Sequence, residues 1–295
     1  MDLEGEESLR QAIMERLREV TADTAGEITW NALSTFEVAP NQPRRLINQS
    51  GIWNPTDLSA TLTIISSPYG PYADEEVEGG LLRYDYRAGS TAGQNTKLRR
   101  AMELQLPVIL LRKIKPGVFL PVFPVYVIGD DPKRRQFLVA LDESLRFLSN
   151  PLSPTDAERR YAARVVQQRL HQPEFRVRVI NAYASRCTVC SLRHPNLLDA
   201  AHITSDREEA GVPVVPNGLS LCKIHHAAYD RDILGISPDL EVHINPRVLA
   251  EEDGPMLQHG LKDMHGRRIS TPRKRADHPD RDRLDARFRR FLDSA

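Results

Sequence analysis

The stretch Arg186–Asp232, RCTVCSLRHPNLLDAAHITSDREEAGVPVVPNGLSLCKIHHAAYDRD, decides how the chain is read. It holds all three cysteines, Cys187, Cys190 and Cys222, and four of the nine histidines. Cys187-x-x-Cys190 and Cys222-x-x-His225 each have the spacing of a zinc-binding pair, and together they supply the four ligands of one tetrahedral site. Two such pairs close on one ion only if the chain between them folds back, so a hairpin-like insert is expected. Within it, LLDAAHI reads as a short strand ending in a histidine. TSDREEAGVPVVP reads as a loop, NGLSLC as a second strand or turn, and KIHHAAYDRD as a helix.

The insert also carries polar residues that zinc does not need: His202, Asn217 and His226. Consecutive helical residues point ~100° apart, so His225 and His226 cannot comfortably face one metal. Cys222 and His225, at i and i+3, share a helix face, and His226 and Asp230, at i and i+4, share the neighbouring one. Geometry alone also allows Cys222 to pair with His226. The economical arrangement is one structural zinc and one separate polar site.

DAAHI followed by NGL-x-LC-x-x-HH-x-x-x-D resembles the HNH nucleases of the ββα-metal class, with a zinc knuckle holding the small fold. The resemblance implies that His202 is the general base, that Asn217 braces the loop, and that His226 binds a catalytic divalent cation, Mg²⁺ or another such as Mn²⁺. Many family members place an acidic metal ligand immediately before the base, where this chain has Ala201. The acids nearby are Asp199 and Asp230. An ideal strand puts residues 199 and 202 on opposite faces, so Asp199 needs a twist or bulge to reach the metal, whereas Asp230 shares a helix face with His226. The second ligand stays open between them.

The rest of the chain sets the context. Its 295 residues suggest about two domains, each large enough for its own core. Hydrophobic residues make up 40%, ordinary for a soluble globular protein. No apolar run is long enough to span a bilayer, and the acidic start MDLEGEES lacks the pattern of a signal peptide. Cysteines confined to a metal site fit a reducing compartment. Formal net charge is zero, so any basic footprint must be local.

Residues Ser8 to Val20 have apolar residues at helical spacing and predict an opening helix. A loop and a strand ending near Ile65 follow, with Trp30 and Trp53 as core or interface anchors. LLRYDYR predicts a strand, Asn95 to Leu104 a helix, and the run beyond it a meander with turns at Lys115-Pro116-Gly117 and Gly129-Asp130-Asp131. Strands dominate, so a curved sheet or partial barrel is expected. The Tyr/Gly/acid-rich loop has pieces of the pattern of the SRA fold, a PUA-like domain: Tyr72-x-Asp74, the acidic run through Glu78, Gly79-Gly80, then Tyr84, Arg87 and Gly89. That resemblance implies a pocket for a cytosine flipped from the duplex, with Tyr72 and Tyr84 stacking on it and Asp74 accepting its amine hydrogen bond. Tyr86 competes with Tyr84 for this role, and Glu75 or Glu76 with Asp74.

SNPLSPT, Ser149 to Thr155, is a turn cluster and a domain boundary. DAERRYAARVVQQRLHQ is a helix capped by Thr155 or Asp156, and EFRVRVINAYASR a second helix leading to the knuckle. Arg176 beside it, and Arg267, Arg268 and Arg273 in the basic tail, are candidate contacts to DNA phosphates. ILGISPDLEVHINPRVL is strand-like, and RDRLDARFRRFL is an amphipathic helix with Leu284, Phe288, Phe291 and Leu292 on one side.

The expectation is an α+β chain with an SRA/PUA-like domain over residues 1–150, a helical linker over 151–173, and a zinc-stabilised ββα-metal (HNH) domain with a basic tail over 174–295. The paired resemblances imply the SRA–HNH family of modification-dependent restriction endonucleases: a prokaryotic cytosolic enzyme that cuts double-stranded DNA carrying 5-methylcytosine or 5-hydroxymethylcytosine. A double-strand break needs two cuts, so a homodimer is expected. Two alternatives are an HNH nuclease whose N-terminal domain reads another feature, and a zinc DNA-binding module without catalysis.

Overall fold

The apolar spacing of SLRQAIMERLREV produces a helix, α1 (Leu3–Ala22), in a computed structural model that describes residues 1–67, 81–86, 93–148, 150–208 and 210–294. The chain divides into two units, Met1–Pro173 and Glu174–Ala295. In the first, Ile13, Met14 and Leu17 of α1 share a buried cluster with Ile109, Leu111 and Phe119. The same face carries charge. Glu6 and Arg10 are fully buried, and the Arg10 guanidinium donates to Glu6 and to the carbonyls of Ala60, Thr61 and Pro107. The other Glu6 oxygen accepts from the Ser59 N–H and hydroxyl. An ion pair this deep is tolerable only because its remaining donors and acceptors are satisfied.

The sheet below α1 contains β1 (Ile28–Thr29), β2 (Ile52–Trp53), β3 (Thr63–Ser66), β4 (Leu82–Asp85), β5 (Val108–Lys115), β6 (Val118–Asp131) and β7 (Gln136–Ala140), with helix α2 (Gln94–Glu103) between β4 and β5. Its order is β2-β3-β5-β6-β7-β4, with β1 also paired to β6. Among the described strands of this sheet only β3 and β5 run parallel. The long β6 serves two partners: Val118–Val125 pair with β5, and Tyr126–Asp131 pair with β7. A register shift between Val127 and Gly129 marks the bend, and bulges of this kind curl a sheet. The result is a mixed α+β unit around a curled half-barrel sheet.

The turn expected at Gly129-Asp130-Asp131 lies further on. The bulge lets pairing continue to Asp131 opposite Gln136, and Asp131 then accepts the N–H groups of Lys133 and Arg134 to form the turn. Trp30 packs against Phe119, and Trp53 donates to the Arg45 carbonyl. Thr155 caps α3 (Asp156–Val166) through a reciprocal capping box with Glu158. The expected single helix is interrupted by a π-helical turn, Gln167–His171, before α4 (Gln172–Ala182).

In the second unit, β8 (Leu198–His202) pairs antiparallel with β9 (Gly218–Cys222), and α5 (Lys223–Asp230) follows directly. A second hairpin joins β10 (Leu234–Ile236) to β11 (Val242–Ile244). The closing helix α6 (Arg281–Ser294) lays Phe291 over Gly235, where a Cβ would stand 2.5 Å from the ring. The expected apolar side of α6 needs one correction. Leu292 is 56% exposed, and buried Arg287 takes the place on that face, bonded to Asp232 and the Tyr229 carbonyl. No described helix is long and apolar enough to cross a membrane.

Candidate active site and metal centre

The β8–β9 register fixes the site. Leu198 faces Cys222 and His202 faces Gly218, so the hairpin places the second zinc pair at one end and the candidate base at the other. A tight turn returns from Cys187, whose carbonyl accepts from Ser191 and whose N–H donates to Leu192. Ligand atoms of Cys187, Cys190, Cys222 and His225 all lie within 4.8 Å of one another. The His225 Nδ1 is 3.4 Å from the Cys187 Sγ and 3.1 Å from the Cys222 Sγ, and the Cys190 and Cys222 sulfurs are 4.0 Å apart. Tetrahedral zinc with ordinary bond lengths asks for edges of roughly 3.6–3.8 Å, so the set fits such an ion. His225 Nε2 meets the Gly260 carbonyl at 2.7 Å, the outer contact that leaves Nδ1 as the ligand atom. Burial disfavours a charged His225, but hydrogen bonds to Cys187 and Cys222 outweigh it and raise the ring to about 10. The cluster therefore holds protons that a cation would displace. Among the described residues the set that could hold an ion contains His225 and not His226.

At the other end of the hairpin, the His202 ring stacks on Phe175 of α4, with centroids 4.1 Å apart and planes 18° from parallel. Its Nε2 is buried and has no hydrogen-bond partner among the described residues. Burial, partly opposed by the charge of Asp206, holds the imidazole below its ordinary value, so the ring is neutral near pH 7. Gly218 lets α4 come this close: a Cβ there would stand 2.4 Å from Val179 Cγ2 and 2.9 Å from Phe175 Cζ. Asn217 is fully buried. It accepts from the Thr204 N–H at 2.8 Å and donates to the carbonyls of Thr204 and Val212 at 3.0 and 3.1 Å. It thereby ties both ends of the loop that leaves His202.

His226 lies between two carboxylates. Its Nδ1 is 3.6 Å from Asp199 and its Nε2 is 3.4 Å from Asp230. Asp199 therefore reaches the helix from a hairpin whose register runs unbroken from Leu198 to His202. Lys223 also holds Asp199, at 2.8 Å. Burial opposes ionisation of Asp199, but contacts from His226 and Lys223 prevail and keep the carboxyl well below the usual range. The hydrogen bond to Asp199 is the main cause that raises His226, against the cost of burial. The two acids address different ring nitrogens, so an ion on His226 can share one of them but not both. One imidazole with carboxylate oxygens suits a hard divalent cation.

The other candidate residues are more scattered. Arg176 donates to the Pro195 and Leu198 carbonyls, which commits it to the approach to β8. Arg267, Arg268 and Arg273 are exposed, and Arg268 donates to the Asp239 carbonyl. Tyr72, Asp74, Glu75 and Glu76 lie outside the described residues. Tyr84 is buried in the sheet with its hydroxyl on the Gly51 carbonyl. Tyr86 is buried as well, and its hydroxyl meets Asp130 and Arg99. Sequence reading missed Phe175 and Lys223. The i, i+4 spacing of Phe175 and Val179 marks a packing face but not what it packs on.

The family of HNH endonucleases matches residues 187–237. These residues form an HNH endonuclease domain. The chain is accordingly an endonuclease. No curated protein matches it. Among solved structures, it is similar to a modification-dependent TagI restriction endonuclease at 16% identity, over 81% of this chain and 84% of that one, with a TM-score of 0.29. It is also similar to the type IV phosphorothioation-dependent restriction endonuclease ScoMcrA at 14% identity, over 73% of this chain and 58% of that one, with a TM-score of 0.21. Similarities at these scores carry no inference about fold or substrate.

Proposed function

We propose that the chain is a modification-dependent restriction endonuclease that hydrolyses phosphodiester bonds of double-stranded DNA. The observation that carries the hydrolytic part is the neutral His202, ring-stacked and with a buried nitrogen unpartnered among the described residues, set at the end of a hairpin whose other branch presents His226 between two acids. A buried polar atom without a partner is uncommon in a finished fold, and water or substrate would satisfy it. His202 takes the proton of the attacking water, as a neutral imidazole held below its ordinary pKa can do. Asn217 keeps the loop after His202 in place, and Phe175 fixes the ring plane. Mg²⁺ or Mn²⁺ on His226 with Asp199 or Asp230 would supply positive charge to the scissile phosphate and the departing 3′ oxygen. Zinc on Cys187, Cys190, Cys222 and His225 would cross-link the knuckle to the start of α5.

The N-terminal unit, in this reading, recognises 5-methylcytosine or 5-hydroxymethylcytosine by base flipping. The sequence resemblance around Tyr72 and Asp74 supports it, as does the curled sheet of this unit. Two copies of the chain acting together would give the double-strand break. A second reading, in which this unit recognises another feature of DNA, is favoured by one observation: Tyr84 is already packed into the sheet with its hydroxyl bonded to Gly51.

Cleavage of one plasmid in unmodified, 5-methylcytosine and 5-hydroxymethylcytosine forms, with Mg²⁺ or Mn²⁺ and with His202→Ala as control, separates these. Cutting of the modified forms alone, lost in the variant, is expected. Equal cutting of all three keeps the nuclease and removes modified-cytosine recognition. DNA binding without cutting under either cation leaves a non-catalytic module.

A further inference from the structure

A cavity of about 640 Å³ opens in the N-terminal unit where β4 and β7, the β6–β7 turn and the Pro151–Pro154 segment come together. Its size is that of a small-ligand or nucleotide site. Its lining holds four cations, Arg83, Lys133, Arg134 and Arg159, against two carboxylates, Asp130 and Asp131. Both carboxylates are already engaged. Asp130 is bonded to Arg99 at 2.6 Å and to the Tyr86 hydroxyl. Asp131 accepts two backbone N–H groups of its own turn.

The cations are far less committed. The side chains of Arg83 and Lys133 have no hydrogen-bond or ion-pair partner among the described residues. Arg134 approaches Asp131 only at 3.9 Å, and Arg159 donates its Nε to the Pro154 carbonyl while its terminal nitrogens make no such bond among the described residues. Arg83 alternates with Tyr84 along β4, so the pleat that buries the tyrosine turns the arginine the other way. Exposed basic residues on a convex surface are ordinary solvated charge. Here they converge on one concavity from a strand, a turn and the first turns of helix α3, an arrangement that focuses positive potential. Leu138 and Leu152 add apolar lining suited to a sugar or base edge.

We propose that this cavity is a DNA-backbone site of the N-terminal unit, in which Arg83, Lys133, Arg134 and Arg159 contact phosphates of one strand. It rests on the endonuclease reading only in naming DNA as the polyanion. Phosphate contacts of this kind position the nucleic acid without selecting its sequence.

The test is a binding measurement, so it stands apart from whether the chain cuts. Full-length His202→Ala protein, with zinc present and without catalytic cation, is titrated against a fluorescent duplex at several salt concentrations. The same titration follows with R83Q, K133Q, R134Q and R159Q added together. Each lost phosphate contact lowers the slope of log K against log[salt] by about 0.9, so a fall of roughly 2–4 is expected, with more than tenfold weaker binding at low salt. If the melting temperature of the combined variant drops, the exposed pair K133Q and R134Q alone replaces it, with an expected fall of about 1–2. An unchanged slope in a folded variant would overturn the proposal. So would a slope that responds only to R267Q, R268Q and R273Q, because the DNA-binding face would then be the C-terminal tail.

Discussion

Replacing Asn217 by alanine tests how the hydrolytic loop is held. The side chain is fully buried and makes three hydrogen bonds, one accepted from the Thr204 N–H and two donated to the Thr204 and Val212 carbonyls. Each such bond is worth about 0.5–1.5 kcal/mol net, and a buried backbone group left without a partner costs about 1–3 kcal/mol. Thr204 is half-buried, so water can recover part of the loss. The expected destabilisation of the C-terminal unit is therefore roughly 2–4 kcal/mol. Asn217→Asp sharpens the argument. It keeps an acceptor for the Thr204 N–H but turns a carboxylate oxygen toward two carbonyls, so it should cost at least as much as alanine despite its matching shape.

The assay follows from where the probes lie. Both tryptophans, Trp30 and Trp53, are in the N-terminal unit, and all four zinc-set residues are in the other. Urea titration read by tryptophan fluorescence reports the first unit, and zinc release to a chromogenic chelator reports the second. With a urea slope of about 2 kcal/mol per molar, the zinc-release midpoint should fall by roughly 1–2 M while the fluorescence midpoint stays put. The Asn217 bonds flank His202, so cleavage at permissive temperature should also fall by roughly a hundredfold, the cost of about 1 Å of misplacement. Zinc-release midpoints that agree within about 0.3 M, or an aspartate variant as stable as the native chain, would show that Asn217 is not the tie described.

Three further outcomes are expected. Gly218→Ala forces a methyl against Val179 and Phe175, and overpacking of this kind costs about 1–3 kcal/mol; the zinc-release midpoint should fall, and a silent substitution would refute the close approach. Cleavage should rise with pH through a midpoint below the ordinary histidine value of about 6.5, because burial depresses His202 and only the neutral ring accepts a proton; in Phe175→Leu, which opens the ring to water, that midpoint should move up, and an unmoved acid limb removes Phe175 from the positioning of His202. Zinc affinity should weaken as pH falls, because the metal-free His225 holds its proton up to about 10 and the thiols must also ionise to bind; proton release on zinc addition in weak buffer measures this, and binding without proton release contradicts it.

The parts of this molecule legible in its sequence are those with local causes. The zinc set follows from two spacings, and the capping of α3 from Thr155 and Glu158. The strands around His202 and Asn217 follow from short apolar runs between turn residues. What escaped is decided by long-range geometry. Nothing in SLRQAIMERLREV says that the Arg10 guanidinium finds three carbonyls some fifty to a hundred residues away, or that Arg287 outcompetes Leu292 for the buried side of α6. The place of Asp199 beside His226 depends on how α5 lies against a strand only five residues long, which spacing along the chain does not give. Tyr84 and Tyr86 read equally well as stacking rings and as sheet residues, because alternation along a strand does not reveal what covers each face.

The adjacency of His225 and His226 ties the two centres together mechanically. α5 has only eight residues, and a helix that short does not hold itself in water. Its rotation about its own axis is therefore set by its anchors, Cys222 and His225 at one end and the buried Tyr229 further on. With His225 turned inward to the sulfurs and to Gly260, the next residue must point about 100° away, which is where Asp199 and Asp230 meet it. Thiolates and carboxylates would sort ions by softness, so zinc and a hard divalent cation, if both bind, would serve neighbouring residues without exchange. It follows that Cys190→Ser, at an exposed ligand remote from the hydrolytic groups, should abolish cleavage along with zinc retention, because an α5 free to turn no longer presents His226 to its acids. Full cleavage by a zinc-free Cys190→Ser chain would break this coupling.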